Sequence, residues 1–307
     1  MKKKLLILPM AVCAAVTTFA QTTYEFDFRH NDPNDVAQLL ILAETGIDGS
    51  VGSMGFSADL NIGAIARYSL NDKIDLQTKI RKSYASFHFD KAYRKNFEIE
   101  LTGAVFVKDE TKLNNEEVLI SGKTEQFGAY VYTESKYFNT DLPQRNAFGF
   151  NATVNYKTLG VNPKEGNDHR SNEGYKGARD NVNFSTLSLI GGLQFKRINA
   201  SVVQVKRPRV NRIFDNYTVM TIDGIFAPVN TFKDAITGES VGKELESDGL
   251  KKAFPFGGRI TYNVYGSIPS HKLAKSFRYT ISSSIGYRPY LGFHFDFGIG
   301  FMVLRSM

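Results

Sequence analysis

Apolar and polar residues alternate along most of this chain with a period of two. From 55 to 70 the even positions are Phe56, Ala58, Leu60, Ile62, Ala64, Ala66, Tyr68 and Leu70, and the odd ones include Ser57, Asp59, Asn61, Gly63 and Arg67. Successive strand side chains point to opposite faces, so this pattern predicts a strand with one greasy and one polar face. Asn71-Asp72 is a turn pair, after which Ile74, Leu76, Thr78 and Ile80 oppose Asp75, Gln77, Lys79 and Arg81. The two segments read as a hairpin.

The same period returns down the chain. In 95–108, Phe97, Ile99, Leu101, Val105 and Val107 oppose Asn96, Glu98, Glu100 and Thr102; in 146–157, Phe148, Phe150, Ala152, Val154 and Tyr156 oppose Gly149, Asn151, Thr153 and Asn155. A weaker aromatic strand, 127–138, lies between them. Leu187, Leu189, Leu193 and Phe195 face away from Ser188, Gly192, Gln194 and Lys196, and 200–228 is β-branched but interrupted by Pro208, which reads as a broken or bulged strand. Ile260, Tyr262 and Val264, then Phe277, Tyr279, Ile281, Ile285 and Tyr287, continue the pattern. Phe293, Phe295, Phe297, Ile299, Phe301 and Val303 alternate with Gly292, His294, Asp296, Gly298, Gly300 and Met302. No helical stripe of comparable length appears. The polar stretches 109–122, 158–180 and 229–255 read as loops.

These segments predict an all-β, up-and-down antiparallel barrel. Alternation alone does not say which face is inside, because a soluble barrel buries its apolar face and a membrane barrel exposes it. Runs of 12 to 16 alternating residues exceed the roughly five or six of ordinary strands and suit a tilted membrane strand. The polar face mixes Gly, Ser, Thr and Asn with both signs of charge, as a crowded lumen requires. Backbone in lipid is satisfied only by helices or closed barrels, and the sequence holds no membrane-length helix.

The first twenty residues carry an export pattern. Lys2, Lys3 and Lys4 precede an apolar run from Leu5 to Val16 and a small-x-small ending, Thr18-Phe19-Ala20, so residues 1–20 are expected to be a cleaved signal peptide. The only cysteine, Cys13, lies inside it; a lipidated Cys13 is the alternative reading. Without it the mature chain has no thiol for disulfides or zinc. Loss of the three leader lysines lowers the formal charge from +7 to +4, too mild and dispersed for a nucleic-acid partner.

Counting back from the C-terminus with both mature termini in the periplasm gives ten strands: 55–70, 73–90, 95–108, 123–138, 146–157, 182–196, 200–228, 256–266, 273–288 and 291–304. The stretches 109–122, 158–180 and 229–255 then fall outside the cell. The connections near 91–94, 139–145, 197–199 and 267–272 fall in the periplasm. Residues 21–54 form an N-terminal extension, a plug or additional strands, and 55–307 form the barrel, giving about ten to twelve strands.

The chain resembles the outer-membrane β-barrel proteins of Gram-negative bacteria from Gly55 onward, in its alternation and in its aromatic final strand, similar to the signal such barrels present to their assembly machinery. It departs from them in ending on Leu304-Arg305-Ser306-Met307 and in lacking Trp, although Tyr68, Tyr130, Tyr132, Tyr156, Tyr287 and Tyr290 can supply interfacial girdles. The resemblance implies a cell outer-membrane location, with lipid and the assembly machinery as partners.

Candidate chemistry sits on the polar face. Asp59, Arg67, Lys79, Arg81, Arg259, Arg278, His294 and Asp296 form a candidate lumen cluster, joined by Asp75, Glu98, Glu100, Lys196 and Arg288. A bore of ten strands is narrow, so these charges either neutralise one another or line a narrow, mildly anion-preferring path. His294 and Asp296 share a face with Ser282 and Ser284 in reach, the outline of a hydrolase, but no nucleophile elbow or zinc-protease helix accompanies them. Asp234, Glu239, Glu244, Glu246 and Asp248 lack the spacing of a calcium loop. No cofactor, metal or catalytic residue is assigned. The stretches 158–180 and 229–255 are candidate docking sites for a partner protein, the alternative for 229–255 being a loop folded over the barrel mouth. The expectation is a non-enzymatic barrel with a structural, secretion-accessory or surface-interaction role; a narrow uptake channel and a barrel hydrolase are the alternatives.

Overall fold

The computed structural model describes residues 26–30, 39–52, 55–86, 96–127, 130–161, 182–205, 210–234, 237–241, 254–267 and 278–306. Eleven strands are present: β1 (Phe26–His30), β2 (Leu39–Gly52), β3 (Gly55–Asn71), β4 (Ile74–Ser86), β5 (Phe97–Phe127), β6 (Tyr130–Val161), β7 (Val182–Val205), β8 (Val210–Asp234), β9 (Phe256–Ser267), β10 (Arg278–Arg288) and β11 (Gly292–Ser306). Neighbours in sequence pair antiparallel from β2 to β11, and β11 pairs with β2 from Phe293↔Val51 to Ser306↔Leu39. The result is a closed ten-stranded antiparallel barrel, the up-and-down architecture that the alternation predicts. The expected signal peptide, residues 1–20, lies outside the described residues.

The sidedness is the reverse of a soluble protein's. Phe295 and Phe297 are 38% and 44% exposed, whereas His294 between Phe293 and Phe295 is 1% exposed. Ile62, Leu76, Ile80, Leu101, Phe150, Leu193, Ile222, Ile260, Ile285 and Ile299 carry this apolar outer face around the wall, and the polar residues alternating with them point into the bore.

Three strand assignments differ from the sequence reading. Residues 39–52 supply one full barrel strand, so of the options for 21–54 the additional strand is realised. The short β1 lies apart, paired with β7 from Phe26↔Val205 to His30↔Ser201. Segment 109–122, expected as a loop, is the outer half of β5. It pairs with β6, whose range runs straight through the expected turn at 139–145, and the actual reversal falls between Phe127 and Tyr130. The stretch 200–228 divides: Val205 ends β7 and Val210 begins β8, with Pro208 in the connection between them. One strand gained at β2 and one lost by merging in β5 and β6 leave the total at ten.

These changes sort the connections into two ends. The start of β2 and the finish of β11 mark a terminal end, which also holds the β3–β4 turn and the β9–β10 connection. Two ribbons project from it. Past Phe106, β5 pairs with β6 alone among the described residues, and β6 between Tyr130 and Pro143 has no partner but β5. Those 14 strand residues reach roughly 45 Å beyond the wall. The second ribbon is the shorter β7–β8 hairpin that carries β1. The opposite, loop end holds the connections 53–54, 87–96, 162–181, 235–255 and 289–291. Segments 109–122 and 139–145 therefore share the terminal end, and 91–94 shares the loop end with 158–180, where the sequence reading had separated each pair.

Candidate functional site: the ion-paired lumen

The inner face of β2 to β11 is filled by charges taken in small groups. Arg81 of β4 is the largest fully buried side chain among the described residues. It passes β3 to bind the Glu44 carboxylate of β2, with Nε donating to Oε2 at 3.1 Å, and it donates to Asp296 of β11 as well. Lys79 approaches the same Asp296 at 3.6 Å, and Ser282 Oγ donates to Glu44 Oε1 at 2.9 Å. Space for this hub comes from Gly298, whose missing Cβ would overlap the Glu44 carboxylate and lie 2.6 Å from Ser282 Oγ.

Toward the loop end, Asp48 of β2 accepts from Lys157 of β6 and from Arg288 Nη1 at 2.7 Å, and Lys157 lies 3.7 Å from Glu98. At mid-height Arg259 of β9 bridges Glu100 Oε2 at 2.8 Å and Asp223 Oδ2 at 3.0 Å, while Asn155 donates to Glu98 at 2.9 Å and Asn151 to Asp223 at 2.9 Å. Toward the terminal end Asp75 binds Arg67, accepts from Lys196 Nζ at 2.9 Å and from Ser69 Oγ at 2.7 Å. The Arg67 guanidinium sits 4.7 Å over the ring of Tyr217, itself stacked on Tyr265 at 4.3 Å. Burying so many ions is tolerable only because partners and hydrogen bonds replace lost hydration.

Of the candidate cluster, the structure gathers Lys79, Arg81 and Asp296 into one group and places Arg67 and Arg259 in two others. Asp59 is buried on the inner face, level with Asp48 across β2–β3. Arg278 is located by backbone alone, opening β10 opposite Ser267. His294 shares the inner face with Asp296 as expected, but Asp296 is engaged by Arg81 and Lys79, Ser282 by Glu44, and His294 Nδ1 has no hydrogen-bond partner. Ser284 Oγ and Asp296 Oδ1 are likewise buried without a hydrogen-bond partner. Asp48, Glu98 and Asp296 bring one oxygen each within 4.8 Å of one another. Lys157, Arg288, Arg81 and Lys79 already contact them, leaving little net attraction for a metal ion.

Sequence reasoning missed Glu44, Asp48, Lys157 and Asp223. Glu44 and Asp48 belong to an even-numbered inner face, Leu40, Leu42, Glu44, Gly46, Asp48, Ser50, and Lys157 continues the series Asn151, Thr153, Asn155, so the period-two signal reaches them once the strand limits are right.

Apolar layers cap the charges. Leu40, Leu42, Ile65, Ile198, Tyr217, Val219 and Tyr265 fill the bore near the terminal end, with Met302 against them. At the loop end Leu159, Val182, Phe184, Val241 and Leu291 pack with Phe232 and Tyr290. From the 229–255 stretch, Val241 as well as Phe232 reaches this cap. Between the caps lie cavities of about 50, 40 and 30 Å³, enough for ordered waters. The first two share Glu100 and Arg259; the last two share Glu98 and Arg288. No protein-family model matches this chain, and no curated protein is similar to it by sequence.

Proposed function

We propose that the chain is an exported outer-membrane β-barrel without enzymatic activity, shut along its bore at rest, acting as a structural, secretion-accessory or surface-interaction component. One observation carries this reading: a continuous apolar outer face around a bore packed with ion pairs. In water that arrangement exposes the wrong surface and buries the wrong one. In lipid both choices are favourable. The outward residues of β11 from Phe293 to Val303 span about 33 Å along the strand, or about 25 Å once tilted by ~40°, the height of the apolar band of such barrels. The leader pattern in residues 1–20 and the aromatic final strand support export and recognition by the assembly machinery.

With both mature termini in the periplasm, the two ribbons point inward from the membrane, and 162–181 and 235–255 face outward as the place for a surface partner. The test is fractionation with heat-dependent migration in detergent gels. Recovery in the outer membrane, with a compact unheated form, is expected; soluble protein in the periplasm would refute the proposal. The linked polar cavities favour a narrow channel as the second reading. A reproducible current in planar bilayers would establish it against the shut bore.

A further inference from the structure

The 30 Å³ cavity under the loop-end cap, bordered by Leu291 of that cap, differs in charge from the two larger ones. Among the described residues that line it, Lys157, Arg259 and Arg288 are cationic and Glu98 alone is anionic. The next cavity along the bore sets Lys79, Arg259 and Arg288 against Glu98, Glu100 and Asp296, and the one toward the terminal end sets Arg67 and Arg259 against Asp75 and Glu100. Both are balanced. The other carboxylates bound by the three cations, Asp48, Glu100 and Asp223, do not line the loop-end cavity.

Its walls also hold hydrogen-bond donors with nothing to receive them. Arg288 directs Nη1 to Asp48 at 2.7 Å, whereas its Nε and Nη2 have no hydrogen-bond partner among the described residues. Thr186 Oγ1 and Ser188 Oγ stand 3.5 Å apart, so one hydroxyl can donate to the other and the second hydrogen is left for the cavity. His294 is 1% exposed, and its Nδ1 is buried without a partner. Glu98, the one carboxylate in the wall, already accepts from Asn155 at 2.9 Å. Spare donors beneath an excess of positive charge call for an anion, because water satisfies the hydrogen bonds but brings no charge. The volume suits about two waters, or one halide ion in their place.

We propose that this cavity binds one small monovalent anion, a halide of chloride or bromide size. Arg288 and Lys157 supply the charge, and a hydroxyl of Thr186 or Ser188 and His294, with its imidazole hydrogen on Nδ1, donate to the ion. Bound there, it links β6, β7, β10 and β11 at the loop end. The site belongs to the barrel's interior and does not depend on which compartment holds the protein.

A ligand bound by the folded state alone raises stability with its concentration, which supplies the test. Thr186→Val with Ser188→Ala removes both hydroxyls and leaves every ion pair in place. Urea unfolding of the native and variant chains in detergent is compared as sodium bromide replaces sodium gluconate at constant ionic strength, gluconate being too large for the cavity. The gap between the two chains should widen until it reflects about a tenfold difference in bromide affinity, the effect of one charge-assisted hydrogen bond. A gap that stays constant would overturn the proposal, since bromide then acts elsewhere or nowhere. If the variant does not fold, anomalous scattering at the bromine edge from native crystals grown in bromide decides. A peak between Arg288 and Ser188 upholds the site, and its absence overturns it.

Discussion

Arg81 and Glu44 stand 37 residues apart in sequence and two strands apart in the wall, and their side chains meet inside the bore, where Arg81 also holds Asp296. One guanidinium thereby ties β4 to both strands of the seam, β2 and β11, at which the ring closes.

Removing that guanidinium leaves buried Glu44 with the Ser282 hydroxyl and Asp296 with Lys79 alone. Arg81→Ala should cost about 3–5 kcal/mol, the usual penalty for breaking a buried pair from one side. Adding Glu44→Gln should return part of the loss, because one orphaned charge disappears with it. Urea titration of the folded barrel in detergent measures both; a double variant no better than the single would argue against the pairing.

Gly298→Ala should be destabilising by about 1–3 kcal/mol, since overpacked interiors resist even one added carbon. Gly103→Ala is the control. A Cβ there meets only Leu76 Cδ2, at 3.8 Å, and the change should stay within about 0.5 kcal/mol. The same titration separates the two.

The outer face can be tested by sign. Phe297→Arg, at the middle of the apolar band, should cost about 2–4 kcal/mol if the surface meets lipid. On a water-facing wall the same change would be neutral or favourable. Folding into lipid vesicles, compared with folding of the native chain, reads the difference.

The alternation made the barrel and most of its lumen charges legible in the sequence, whereas the count of ten strands matched only because the missed β2 offset a false strand at 123–138. It failed where the physical requirement for alternation lapses. In β2 the inner positions Leu40 and Leu42 are apolar because they belong to a cap, so Leu39–Leu42 shows no period. The projecting ribbon lies beyond the barrel wall and encloses no bore, so neither of its faces need be apolar, and Lys108, Glu110, Lys112, Glu116 and Glu117 gave it the composition of a loop. The expected connection at 139–145 contains Pro143, which lies where β6 has an open edge, a place that tolerates the missing N–H. The left-handed backbone of Tyr290 was also illegible, since it leaves no mark on residue type.

Deleting residues 117–139 and joining Glu116 to Thr140 by a two-residue turn should leave a folded barrel with unchanged heat-dependent migration, because that part of the ribbon pairs only with itself. A chain that no longer folds would show that the ribbon guides assembly of the wall.

The seam has a consequence for how such a wall is completed. Glu44 and Asp48 on the first barrel strand draw cations from β4, β6 and β10, and Asp296 is contributed by the last strand of all. A sheet one strand short would leave Arg81 and Lys79 without that carboxylate, as well as two unpaired backbone edges. Partial rings are therefore penalised by charge and by hydrogen bonding together. The chain registers its own completion, and closure is favoured as a single concerted event over gradual zippering.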